Sequence, residues 1–390
     1  MQRIRFVSVL VAALCALAGS GVAAELTPLE TLGKSLFFDS NLSTPPGQSC
    51  AACHAPEAGF TGPDSAINAW EAVYPGAVHV RAGNRKPPTA GYGGDSPVMY
   101  FDETEGLWIG GMFWDGRATG WTLGDPLAEQ AQGPFLNNLE QNMPSAKQVI
   151  RRVQKSEYAL LFEDVWGPGS IDDKVDVAGT YERIARSIAA YERSAEVNPF
   201  TSKYDYYLKG EVELSEQEMR GLQLFEGKAL CSACHISQPG PSGEPPLFTD
   251  FTYDNLGVPK NPQNPFYSAP PNVNPDGAAW VDPGLAGFLA AAGYPEEVVM
   301  AELGKHKVPT LRNVDKRPDA AFVKAYGHNG FFKSLEEIVH FYNTRDVEMW
   351  PAPEVAENVN TDELGDLGLT ADEEADLVEF MKTLTDGYQP

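Results

Sequence analysis

Two pentapeptides hold most of the chemistry this chain could do. "CAACH" stands at 50–54 and "CSACH" at 231–235, and the only other cysteine is Cys15. A CxxCH run is the attachment site of a c-type haem: its two thiols bond to the vinyl groups of the macrocycle, and the adjacent histidine reaches the iron as proximal ligand. The spacing suits that task because two sulfurs must meet two edges of one porphyrin while the imidazole faces its centre. A thioredoxin-like CxxC would need a βαβ context that is missing. A zinc site would need more partners than the scattered His79, His306, His328 and His340 offer. Cys50, Cys53 and His54 are therefore read as holding one haem c, and Cys231, Cys234 and His235 a second.

Haem attachment of this kind belongs outside the cytoplasm, and the start of the chain agrees. "MQRIRFVSVLVAALCALAGSGVAA" has Arg3 and Arg5, an apolar run, and small residues before Ala24. That pattern is a signal peptide over 1–24, too short and wrongly flanked to span a bilayer. Leu14 before Cys15 argues against a lipid anchor there. The mature protein is expected to be exported, periplasmic or at the cell surface, without spanning the membrane. Loss of Arg3 and Arg5 would take the net charge from −25 to −27. Such a surface disfavours nucleic acid and anionic membranes and could steer a basic protein partner.

The elements that must position these pentapeptides come in two sets. The length of 390 residues suffices for two cores, and 43% hydrophobic content with 11% aromatics argues against disorder. "GKSLFFD" (33–39) and "GLQLFEG" (221–227) each end an amphipathic helix shortly before a CxxCH, which marks an internal repeat. Helical periodicity runs through "SAKQVIRRVQKSEYALLFEDVW" (145–166) and "DVAGTYERIARSIAAYERSAEV" (176–197). Ser215 with Glu218, Ser334 with Glu337, and Thr370 with Glu373 are spaced as helix-opening capping boxes. The Pro, Asn and Gly-rich stretch 259–284 reads as a surface excursion. The class is mainly α, with domains at 25–205 and 206–390.

"FWDGRA" (113–118), "EQAQGPFLNNLE" (129–140), "KVPTLRNV" (307–314) and "YGHNGFFKSLEEIVHFYN" (326–343), taken with both CxxCH runs, resemble the bacterial dihaem cytochrome c peroxidase and MauG family over nearly the whole mature chain. The resemblance implies two cytochrome c-like helical domains, each with one covalent c-type haem, the first reactive toward peroxide and the second transferring electrons. It implies Glu140 as distal acid/base, Gln130 beside it, Pro134 shaping the pocket, and Trp114 relaying electrons between haems. His328 is expected to pack near the second haem without binding iron.

In that family the second haem's distal ligand falls fourteen residues after the histidine of H-[ND]-G, here at Tyr342. Conventional peroxidases place methionine there and MauG-type members tyrosine. On a helix opened by Ser334, Tyr342 shares a face with Leu335 and Ile338 while His340 points away. Met349 and His340 are the alternative ligands. Tyrosinate favours ferric and higher-valent iron, and a methionine thioether raises the potential.

Three departures qualify the resemblance. The segment "ATGWTLGDPLAE" (118–129) is longer than in MauG-type members, and Trp121 is placed to reshape the distal pocket or a partner surface. Family members hold a calcium between the haems, partly through an asparagine; "GNRKPPT" puts Lys86 at that place, so calcium is expected only if Asn84 substitutes. His79 lies near where conventional members close the first iron, but out of clear register; the alternative is an exposed loop histidine.

The leading expectation is an exported dihaem oxidoreductase that uses hydrogen peroxide to oxidise tryptophan side chains of a partner protein by long-range electron transfer. One alternative is a conventional dihaem peroxidase fed by a small cytochrome or copper protein. Another is a non-enzymatic electron carrier with both irons closed.

Overall fold

The computed structural model describes residues 25–390, so the signal peptide expected at 1–24 lies outside the described residues. In the first half, helix α1 (Pro28–Phe38) is opened by a Thr27–Glu30 capping box with Pro28 in its first turn. It is followed by α2 (Ser65–Ala69), α3 (Pro126–Leu136), α4 (Ala146–Val153), α5 (Ala159–Trp166) and α6 (Val177–Glu192). Helix α7 (Lys203–Leu208) joins the halves. The second half holds α8 (Glu216–Glu226), α9 (Leu285–Ala291), α10 (Glu296–Ala301), α11 (Leu335–Thr344) and α12 (Ala371–Lys382). Strands are few: β1 (Tyr100–Asp102) pairs antiparallel with β2 (Leu107–Ile109), and β3 (Tyr253–Asp254) with β4 (His306–Lys307). The fold is mainly helical.

Two separate apolar cores form. Leu32, Leu36, Phe37, Phe135, Phe162, Ile184 and Ile188 make the first, from α1, α3, α5 and α6. Leu222, Phe225, Phe248, Phe341, Leu377 and Phe380 make the second, around α8, α11 and α12. A small third cluster of Met99, Trp108, Tyr253, Leu285 and Leu289 bridges the halves. Helix α7 spans the expected boundary at 205/206 and sends Tyr204 into the second core.

The repeated glycine explains how each core closes. A Cβ on Gly33 would stand 1.9 Å from the Ser187 carbonyl oxygen and 2.8 Å from Tyr191 Cβ, so α1 crosses α6 backbone against backbone. At Gly221 the same construction meets the Asp376 carbonyl oxygen at 2.0 Å and Phe380 Cβ at 2.7 Å, where α8 crosses α12. Gly33→Ala or Gly221→Ala is therefore expected to overpack its crossing and destabilise the holoprotein by about 1–3 kcal/mol, read as a shift in the guanidinium midpoint.

Three local expectations need correction. The helical stretch 145–166 is broken between α4 and α5, where the Ser156 hydroxyl caps the Val153 carbonyl at 2.7 Å. There Tyr158 donates to Asp39 Oδ2 at 2.6 Å, which redirects the chain. Ser215–Glu218 and Thr370–Glu373 form full capping boxes. Ser334 does cap Glu337 N–H, but the Glu337 carboxylate accepts from Lys333 N instead of closing the box. The stretch 259–284 is no mere surface excursion. Asn261, Asn264, Asn274 and Asp282 are buried, because the asparagine side chains hydrogen-bond backbone within the loop and across to the first half.

Candidate functional site: two paired cavities

Each CxxCH forms a single turn of 3₁₀ helix, at Cys50–Ala52 and Cys231–Ala233, which brings its two cysteines and its histidine to one cavity. The histidines are mounted identically. His54 Nδ1 lies 3.1 Å from the Phe60 carbonyl oxygen and His235 Nδ1 2.8 Å from that of Phe248. A carbonyl only accepts, so Nδ1 carries the proton and the Nε2 lone pair is available to a metal. Both phenylalanines adopt left-handed backbone, φ 57° and 54°, to aim those carbonyls. One residue earlier in each case, the carbonyl accepts from a threonine: Thr89 on Gly59 at 2.9 Å, and Thr310 on Leu247 at 2.6 Å. The Pro-Thr pairs of "KPPT" and "KVPT" thus have a mechanical role that the sequence reading did not assign.

Burial disfavours the charged forms in both places. The His54 imidazolium is pushed down to about 4 and that of His235 is lowered, which keeps both rings neutral, as ligation requires. The thiols are raised, to about 12 for Cys53, Cys231 and Cys234, mainly by burial. None of these four cysteines is joined in a disulfide.

The first cavity, about 150 Å³, is lined by Cys50, Cys53, His54, Phe113, Trp114, Arg117, Gln130, Pro134, Glu140 and Glu192, among others. The second, about 210 Å³, is lined by Cys231, Cys234, His235, Trp114, His306, His328 and Tyr342 among mostly apolar neighbours. Native interiors rarely leave voids larger than a water molecule. Two such cavities, each with a histidine and two thiols, fit a large planar apolar group with a metal at its centre.

Helix α3 supplies Gln130 and Pro134, and the turn after it supplies Glu140. Asn137 Nδ2 donates to Glu140 Oε1 at 2.6 Å, which leaves Oε2 for the cavity. Burial raises the Glu140 carboxyl above the ordinary range, while Arg117 and Asn137 oppose the shift. Trp114 lines both cavities, with its indole N–H on the Lys86 carbonyl at 2.9 Å and its own carbonyl accepting from Lys307 N–H at 2.8 Å.

Tyr342 lies on α11 among the residues lining the second cavity, and burial raises its phenol. The two alternatives stand elsewhere. Met349 is fully exposed, and His340 is held between Glu374 at 3.0 Å and Glu348 at 3.4 Å. His328 lines the second cavity, with Nε2 on Glu354 Oε2 at 3.2 Å. His79 is exposed, on a loop whose Ala77 N–H donates to the Glu140 carbonyl. Trp121 is half-exposed outside the first cavity, bonded to the Met99 carbonyl and tilted over Phe288.

Glu192 and Arg117 were missed as cavity residues. Glu192 extends the buried row Ile184–Ile188 by one helical turn, and an acid on an apolar row was the available signal. Its carboxyl is pushed up to about 8 by burial, and Oε2 has no protein partner. The Arg117 guanidinium carbon lies 3.6 Å from the centre of the Phe113 ring, which no sequence pattern foretells.

Among the described residues no helix is long and apolar enough to cross a membrane. The family model for di-haem cytochrome c peroxidase matches residues 27–213. The methylamine utilization protein MauG of Paracoccus denitrificans is 35% identical, with 95% of this chain and 93% of that protein covered. The cytochrome c551 peroxidase of Nitrosomonas europaea is 28% identical over 95% of this chain and 83% of its own length. The diheme peroxidase BthA of Burkholderia thailandensis superposes with a TM-score of 0.74 at 31% identity, covering 94% of this chain and 87% of its own. The chain therefore belongs to the di-haem cytochrome c peroxidase family and is a peroxidase-type oxidoreductase.

Proposed function

We propose that this protein is an exported, MauG-like dihaem oxidase built from two cytochrome c-like domains. It would use hydrogen peroxide to oxidise a partner protein, in tryptophan side chains, across an interface. Cys50, Cys53 and His54 would hold the first haem, and Cys231, Cys234 and His235 the second. The observation that carries the reading is Tyr342, which shares a cavity with His235 while Met349 and His340 stand outside it. A haem c bound in each cavity would supply reversible iron redox chemistry, the first of them toward peroxide.

The chain's own residues do the rest. Glu140 Oε2 takes a proton from one peroxide oxygen and returns it to the other, with Oε1 fixed by Asn137. Gln130 and Pro134 on α3 confine the oxidant beside it. Trp114 offers an aromatic ring common to both cavities. Tyr342, which lines the cavity with His235, would hold the second haem through its phenol oxygen and favour the oxidised forms. The acidic exterior suits a basic partner.

Low-temperature EPR of the ferric protein at neutral pH tests the reading. One high-spin and one low-spin haem are expected, with the low-spin signal altered in Tyr342→Met and unaltered in Met349→Leu. Tyr342→Met is also expected to raise one reduction potential by at least about 59 mV, tenfold in the equilibrium constant. The second reading, a peroxidase drawing electrons from a small redox protein, is favoured by the peroxidase relatives at 28–31% identity. Two low-spin haems, with rapid turnover on a reduced small cytochrome, would put it first.

A further inference from the structure

Lys86, Pro88, Thr89 and Trp114 line both cavities and form the wall between them. A calcium ion in such a wall takes roughly six to eight oxygen ligands at about 2.3–2.6 Å, carboxylates prominent among them. Three backbone oxygens here are already engaged. The Lys86 carbonyl accepts from Trp114, the Pro87 carbonyl from Lys86 Nζ at 3.1 Å, and the Asn84 carbonyl from Asn264 Nδ2 at 2.8 Å. Lys324 Nζ donates to three carbonyls at once, those of Ala58 at 3.0 Å, Asn313 at 2.8 Å and Lys316 at 3.0 Å. Three acceptors match the three N–H bonds of an ammonium; a neutral amine has two.

Among the described residues one group has the donor types for a metal, Asp282 with His306 and His328. It does not make a calcium cage. Both Asp282 oxygens are held by Arg85, at 2.6 and 2.7 Å, and the imidazoles stack 3.7 Å apart in nearly parallel planes. A guanidinium on the carboxylate repels a further cation.

We infer that the positive charge between the two haem sites is carried by the ammonium groups of Lys86 and Lys324, in place of a divalent metal ion. This rests on the haem reading of the cavities. Lys86 is 8% exposed and Lys324 4%, so neither charge is solvated. No carboxylate lies against Lys86 among the described residues; burial alone draws its pKa down to about 8, which leaves it mostly charged at neutral pH. An uncompensated buried cation is costly, and the carboxylates that a bound haem carries would offer this wall a counter-charge. Burial and the Lys86 charge push Lys324 down, and the three carbonyl acceptors around its Nζ favour the ammonium form. The same lysine ties Ala58 of the first half to Asn313 and Lys316 of the second, the mechanical task a bridging ion would have.

The test uses the intact holoprotein. Haem stoichiometry on the purified sample checks the haem reading, and calcium content by plasma mass spectrometry on the same sample checks this inference separately. Well under one calcium per chain is expected, and prolonged EGTA treatment should leave the EPR spectrum unchanged. Lys86→Met is expected to lower at least one haem potential by about 59 mV, tenfold in the equilibrium constant, because a lost positive charge favours ferric iron. Lys86→Arg should preserve the potential. One calcium per chain surviving gel filtration in calcium-free buffer would overturn the inference, as would an EPR change with EGTA or unmoved potentials in Lys86→Met. If Lys86→Met does not fold, the metal content of the unaltered protein still decides.

Discussion

Glu140→Gln is expected to slow the reaction of the ferric protein with peroxide by ~10²–10⁴-fold, the usual contribution of a positioned acid/base. Glutamine keeps the shape and the acceptor for Asn137, which donates to Oε1 at 2.6 Å, so the loss isolates the proton carried at Oε2. The pH profile gives a second signature. The base form of Glu140 must start the reaction, and burial raises its pKa above the ordinary 4.5. The acid limb of the rate should therefore lie at higher pH than a free glutamate would give, with the rate falling as pH drops through it. In Glu140→Gln the residual rate should lack that limb. Stopped-flow mixing across pH measures both, and a variant within a small factor of the parent rate would remove Glu140 from the chemistry.

Arg312→Met is expected to destabilise the protein by about 3–5 kcal/mol, the cost of breaking a buried ion pair from one side. Arg312 is 1% exposed and Asp205 2%, and Nη1 meets both carboxylate oxygens, at 2.8 and 2.7 Å. Its Nε donates to the Pro246 carbonyl at 2.8 Å, and the guanidinium lies among the rings of Tyr92, Phe200 and Phe248. Removing the arginine strands the Asp205 carboxylate in that setting. Arg312→Met combined with Asp205→Leu should recover part of the loss, since an apolar pair leaves no unpaired charge. Guanidinium melts of the holoprotein measure both, and a midpoint unmoved in Arg312→Met would refute the account. Phe248 also aims the carbonyl that orients His235, so the ion pair supports the second cavity as well as the fold.

What was legible in the sequence was local chemistry. The CxxCH runs stand out because three chemistry-bearing side chains fall within five residues, and each set lines one cavity. Tyr342 could be placed on one helix face because Ser334 marks the start of α11 and the helical period does the rest. The paired glycines were visible as a repeat, and only the structure shows the backbone crossings that need them. Side chains delivered by long loops were not legible. Asp282 reaches Arg85 across 197 residues, and Lys324 reaches Ala58 across 266. Neither contact leaves a periodic trace, and 259–284 resembled a surface loop because its Pro, Asn and Gly content does not reveal that its asparagines cap backbone groups as far away as Glu71 and Asn84. The break between α4 and α5 was missed for a related reason, since one serine hydroxyl decides it against a continuous periodic pattern.

On the proposed function, in which Trp114 relays electrons between the cavities, its mounting has a consequence for the transfer. Its indole N–H is held by the Lys86 carbonyl, and a carbonyl oxygen is far too weak a base to accept the proton. An electron leaving this ring therefore leaves alone, with the N–H bond intact. Fixed at its other end by Lys307, the residue has little room to relax between its two charge states, which favours a low reorganisation energy. Transfer between the two cavities should then show neither a solvent deuterium isotope effect nor a pH dependence of its own, so that any proton sensitivity of turnover belongs to the peroxide side.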